Sequence, residues 1–119
     1  MGGRLEQLTG PLAATALSAD ATVIVPIGAI EQHGPHLPLS VDWVIADEVA
    51  QAVVERVGSE LPVWLLPTMP FSKSNEHAWS SGTIWLSQDT MMRVLDDIGR
   101  CVAESGAKRI VFLNGHGGN

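Results

Sequence analysis

The chain has 119 residues, enough for one domain or part of one, and its composition (45% hydrophobic, 17% charged, 12 Gly, 7 Pro) is globular rather than disordered. Seven Lys and Arg against thirteen Asp and Glu give a formal charge of −6 with no basic run, which argues against nucleic acid and against an anionic membrane surface as partners. One cysteine, Cys101, excludes an internal disulfide; with no apolar run of about 18 residues and no signal-like start, the expected location is cytoplasmic.

Residues 1–20 read as a short helix and a turn, with Gly10-Pro11 as a break. Ala21 to Ile27 is a β-branched run and is expected to be a buried strand. It opens into Gly28 to Ser40, where repeated Gly and Pro predict a kinked loop. Ser40 is the expected cap of a helix running to about Val57, with Ile45, Val49, Ala52, Val53 and Val57 as its apolar stripe and Gly58 as its stop. Leu61 to Leu66 reads as a second strand, and Pro67 to Gly82 as a long polar loop. A second helix is predicted from Ser87 or Gln88 to Ser105, with Met91, Val94, Leu95, Ile98, Cys101 and Val102 on its buried face. Lys108 to Leu113 is the third strand and leads into Asn114-Gly115-His116-Gly117-Gly118-Asn119.

This alternation predicts an α/β layer fold with parallel strands, in which ligands gather beyond the carboxyl ends of the strands. Both histidine-bearing loops leave such ends. If the first and third strands are neighbours, Glu31, His33 and His116 face one crevice.

Three constellations can carry chemistry. Glu31-x-His33 places a carboxylate and an imidazole on the same side of an extended segment, and Asp42 follows in the first turn of the next helix. These are ligand types for Zn, Mn or Fe, and a carboxylate with two oxygens can bridge a metal pair; loop filling by the histidines and a plain helix-start role for Asp42 is the alternative. The glycine-rich end around His116 fits a metal ligand, an anion-binding nest of backbone N–H groups, or a turn. Glu76-His77 fits proton transfer or a solvated loop. Trp79 and Trp85 flank that loop and are candidates for walls of a substrate pocket, and Cys101 reads as a packing residue.

Pro26 to Leu39 with Asp42 resembles the first motif of the creatininase (creatinine amidohydrolase) family. Glu76-His77 with Gly82-Thr83 resembles its second motif and Asn114 to Asn119 its third. The resemblance implies a three-layer α/β/α sandwich with a mostly parallel sheet, here apparently truncated. Residues 1–119 would be a single creatininase-like domain, the N-terminal half of a longer one. It implies a metal-dependent hydrolase of C–N amide bonds, acting on a small-molecule amide such as a cyclic amide or formamide, mainly non-peptide bonds, or on a peptide precursor. Two divalent metal ions (Zn, Mn or Fe) would be the cofactors, and a homo-oligomer, in the family a hexamer, the assembly. Glu31 and His33 would each ligate one metal, Asp42 would bridge them, and His116 would complete the first site. A metal-activated water would be the nucleophile, with Glu76 and His77 as catalytic residues and His36 as an outer hydrogen-bond partner. Creatininase proper resembles N-G-H-x-E-N at the third motif, where this chain has Gly118. The alternatives are a catalytically inactive metal-binding fragment and an anion-binding module.

Overall fold

The computed structural model describes residues 1–119. Its strands are β1 (Gly3–Arg4), β2 (Thr22–Ile27), β3 (Val63–Leu65) and β4 (Arg109–Asn114), and its helices are α1 (Gly10–Ala16), α2 (Val41–Val57) and α3 (Gln88–Glu104). All strand pairs are parallel, in the order β1-β3-β2-β4. The Val/Ile run of β2 is central because both its faces are covered, as a near-continuous apolar strand requires. Val23 and Val25 face one layer with Leu17, Val102 and Ala107, while Ile24 faces the other with Ala50, Val63 and Leu65. Helix α3 and the end of α1 therefore cover one face and α2 the other, which is the expected three-layer sandwich.

The register between β2 and β4 runs from Thr22↔Arg109 to Ile27↔Asn114. It sets the carboxyl ends of these strands side by side, so the loops bearing Glu31 and His116 leave from adjacent points. Beyond β3 the chain stays alongside β2: Met69 N–H donates to Pro26 O and Gly28 N–H to Met69 O, both at 2.9 Å. No helix is long and apolar enough to cross a membrane.

Several expectations shift. Gly10-Pro11 begins α1 instead of breaking the chain, because a helix's first turn needs no N–H from proline. β1 is an additional edge strand on β3. In α2 the buried face is Ala46 and Ala50, backed by Val53, Val54 and Val57; Ile45, Val49 and Ala52 are exposed. The cause is close approach. A Cβ on Gly115 would lie 2.9 Å from Ala46 Cβ, so only small residues fit between α2 and the strand ends. Ser40 precedes α2 but makes no side-chain cap bond, whereas Ser87 accepts from Thr90 N–H and caps α3. Met91 and Val102 are buried on α3 as expected, but Cys101, beside Val102, is exposed. Val111 and Phe112 on the outer strand β4 are partly exposed.

Candidate metal centre

Glu31 sits just past β2. Its N–H donates to Leu39 O at 3.0 Å, Ile84 N–H donates to Ile30 O at 3.0 Å, and His33 pairs with Leu37, so the kinked loop closes into a small hairpin strapped to the 80s segment. Asp42 lies in the first turn of α2, whose start packs directly on Gly28. A Cβ there would overlap Trp43 Cα and come within 2.9 Å of Trp43 N. His116 follows β4. The Asn114 side chain brackets it, with Oδ1 accepting His116 N–H at 3.2 Å and Nδ2 donating to His116 O at 2.9 Å. Asn119 closes the turn by donating to Asn114 Oδ1 at 2.9 Å and accepting Lys73 N–H at 3.0 Å.

These elements bring Glu31, His33, Asp42 and His116 into one cluster. Asp42 Oδ1 lies 3.0 Å from His33 Nε2, and Asp42 Oδ2 lies 2.8 Å from His116 Nδ1. Glu31 Oε1 is 3.2 Å from His116 Nδ1. Donor atoms of Glu31, Asp42 and His116 all fall within 4.8 Å of one another. Glu31 and His116 are almost fully buried.

Backbone carbonyls fix the ring tautomers. His33 Nδ1 is 3.0 Å from Glu31 O and His116 Nε2 is 3.0 Å from Lys73 O. A carbonyl only accepts, so these nitrogens carry the protons. With the rings neutral, the opposite nitrogens, His33 Nε2 and His116 Nδ1, would present lone pairs to the Asp42 carboxylate. Lone-pair groups at such distances repel unless a proton or cation lies among them. Ligand atoms about 2.1 Å from one ion stand roughly 3 Å apart, which the observed separations match. Glu31 Oε2 is buried with no hydrogen-bond partner, an orphan that coordination would satisfy. The residues therefore fit divalent metal.

Burial pushes the Glu31 carboxyl above its ordinary range, Asp42 adds to the rise, and His116 and His77 oppose it. The His33 imidazole is raised, first by its bond to Glu31 O and then by the Asp42 charge, against burial.

Glu76 and His77 lie in a short 3₁₀ turn, Asn75–His77, and address different partners. Gly34 N–H donates to Gln32 Oε1, which orients that amide so that Nε2 donates to His77 Nδ1 at 3.1 Å. His77 Nε2 then faces Glu31 Oε2 at 3.9 Å. Glu76 accepts from Lys73 Nζ at 3.0 Å through Oε2 and places Oε1 3.4 Å from His116 Nε2. Burial raises its carboxyl, but its own backbone N–H and Lys73 outweigh that and hold it below the ordinary value. His36 is on the exposed turn of the hairpin, away from the cluster. Trp79 is highly exposed, its ring centroid 6.2 Å from that of His77, and Trp85 is also exposed. Gln32, Lys73, Asn114 and Asn119 were not singled out individually by sequence; they work through backbone groups, amides and the Lys73 ammonium, which leave no ligand-like pattern.

A family model described as creatinine amidohydrolase matches residues 6–119. The chain is 42% identical over 108 residues to a mycofactocin precursor peptide peptidase of Mycobacterium tuberculosis, covering 86% of this chain and 43% of that protein. It is 32% identical over 108 residues to a creatinine amidohydrolase of Pseudomonas putida, covering 87% of this chain and 40% of that one. A solved creatinine amidohydrolase (creatininase) superposes with a TM-score of 0.83 at 31% identity, covering 93% of this chain and 44% of that one. A creatininase in a manganese form gives a TM-score of 0.84 at 30% identity, covering 98% of this chain and 46% of that one. The chain thus spans less than half the length of these relatives.

Proposed function

This chain belongs to the creatininase family, and on that premise we propose that it carries the metal-binding part of a divalent-metal-dependent amidohydrolase that cleaves a C–N amide bond. The observation that carries this reading is the Asp42 carboxylate, split between two histidines whose remaining nitrogens are tied to backbone carbonyls. Glu31, Asp42 and His116 would hold one ion, and Asp42 with His33 would contribute to a second. Zn, Mn and Fe all suit this mixed N/O set, and the manganese form of a related creatininase favours the same class. When bound, such ions polarise an amide carbonyl and lower the pKa of water toward neutrality.

The chain's own residues supply orientation and proton handling. The carbonyls of Glu31 and Lys73 hold the two imidazoles in the ligating tautomer. His77, oriented by Gln32, is placed to hold a proton on Nε2 facing Glu31. Trp79, Trp85 and Ile84 present apolar surface beside this loop for the substrate. The substrate class extends to peptides as well as cyclic amides and formamides, because the relative at 42% identity is named a peptide peptidase. A homo-oligomer in the cytoplasm is the setting we propose. The test is hydrolysis of a panel of cyclic amides, formamides and short peptides. Cleavage abolished by chelation and restored by Zn or Mn is expected; chelator-insensitive cleavage would contradict the reading.

A further inference from the structure

His116 has two sides. Nδ1 faces Asp42 and Glu31, while Nε2 faces the 70s loop, with Lys73 O at 3.0 Å and Glu76 Oε1 at 3.4 Å. The second oxygen of Glu76 is pinned by Lys73 Nζ at 3.0 Å, so one residue offers its carbonyl to the ring and anchors the carboxylate that also faces it. The Glu76 carboxylate occupies the space that a side chain at position 118 would claim. A Cβ built on Gly118 would overlap Glu76 Oε1 and His116 Nε2 and lie 2.8 Å from the Glu76 carboxyl carbon. Gly118 has no positive φ that would require glycine for conformational reasons. The requirement at 118 is therefore for empty space, and Glu76 fills it.

We infer that Gly118 and Glu76 form one device: the missing side chain admits the Glu76 carboxylate, whose charge, 3.4 Å from His116 Nε2, polarises the N–H that Lys73 O accepts. Glu76 is then a positioning residue acting through His116. A carboxylate on the far side of a ligating imidazole makes the metal-facing nitrogen more basic. The inference rests on the reading of His116 as a ligand, and it makes a separate demand: each change must remove the carboxylate's effect on the ring. Gly118→Ala expels the carboxylate by volume and its Cβ also presses on His116 Nε2, while Glu76→Ala removes the carboxylate by truncation. The loss of the carboxylate is the part common to both.

The test uses the whole chain and the variants Glu76→Gln, Glu76→Ala, Gly118→Ala and the Glu76→Ala/Gly118→Ala pair, with circular dichroism reporting folding. Two quantities are read: the imidazole Nε2–H resonance of His116 by ¹⁵N NMR without added metal, and Zn affinity by competition with a chelating dye. Glu76→Ala and Gly118→Ala should move the resonance in the same direction and weaken Zn binding by about 10–100-fold each. The pair should be no worse than Gly118→Ala alone. Glu76→Gln, which keeps the shape and cannot unfold the loop by crowding, should show a smaller shift of the same sign. An unmoved resonance with unchanged Zn affinity in the Glu76 variants, or full additivity in the pair, overturns the inference. If the unsubstituted chain binds no Zn, the metal reading fails, and the NMR comparison alone decides the Glu76–Gly118 coupling.

Discussion

Asp42 Oδ2 stands 2.8 Å from His116 Nδ1, although 74 residues separate the two in the chain. The contact exists because β2 and β4 are parallel neighbours whose ends align at Ile27 and Asn114, and because α2 starts directly over that point. Asp42 reaches both histidines with the two oxygens of one carboxylate, and these define the centre.

Removing that carboxylate should remove more metal than one ligand's share. Asp42→Ala is expected to lower the bound divalent metal to a small fraction of the unsubstituted level, with the fold retained by circular dichroism. Asp42→Asn, similar in shape but uncharged, should also lose most of it. An unchanged metal-to-protein ratio in Asp42→Ala would refute the bridging role.

Gly28 tests whether packing sets the site. Its added Cβ in Gly28→Ala would push on the Trp43 backbone, one residue from Asp42. Overpacking of this kind costs roughly 1–3 kcal/mol. Urea unfolding should show that loss, and Zn affinity should fall with it because Asp42 moves relative to His116. Equal stability and equal affinity would mean that the helix start yields without disturbing the site.

The pH dependence has a definite sign. The His33 pKa is raised above 6.5, so its contribution to stability is complete below 6.5 and is lost as pH rises through the raised value. Glu31 is raised above 4.5 chiefly by burial, so stability is again lost as pH rises past 4.5 through its folded value. Glu76, lowered, has the opposite sign and contributes stability that disappears as pH falls through its folded value. Without metal, stability therefore falls from acid toward neutral pH as the His33 contribution is lost and the burial penalty on the Glu31 carboxylate is incurred. Metal binds their deprotonated forms, so the stabilisation by Zn should grow from about pH 5 to about pH 8. Denaturant midpoints with and without Zn check this; a gap that narrows with rising pH would contradict it.

Leu65 supports the sheet beneath α2 and is 1% exposed. Leu65→Ala should destabilise the chain by about 2–5 kcal/mol through lost burial and the cavity left behind. Because Leu65 lies on β3, away from the ligand loops, a folded sample should keep its Zn affinity. Thermal unfolding with and without Zn separates the two effects.

The strand–helix order was legible because β2 and α3 carry strong, unambiguous patterns, and the placement of both histidine loops at strand ends followed from that order. The phase of α2 was legible only toward its end, where Val53 and Val57 pack on the core as expected. Earlier in the helix Ile45 and Val49 have the right period, but Ala46 and Ala50 take the buried places, and a requirement for small residues becomes visible only when Gly115 is seen against the helix. β1 was missed because two residues, Gly3 and Arg4, carry no strand pattern. At the site, Glu31, His33, Asp42 and His116 could be nominated from residue type and spacing. The carbonyls of Glu31 and Lys73 that set the ring tautomers could not, since every residue has a carbonyl and only the fold says where it points. The fit of Glu76 against Gly118 depends on an absence, which a sequence records only as one glycine among 12.

Everything proposed for this site depends on the cluster around Asp42 holding divalent metal. The most direct measurement is elemental mass spectrometry of the purified chain after equilibration with Zn or Mn and desalting, beside His116→Ala handled identically. About one to two ions per unsubstituted chain are expected, as a His/carboxylate set of this size can hold, with near-complete loss in the variant. No retained metal in the unsubstituted chain, or the same content in His116→Ala, would contradict metal binding by the cluster.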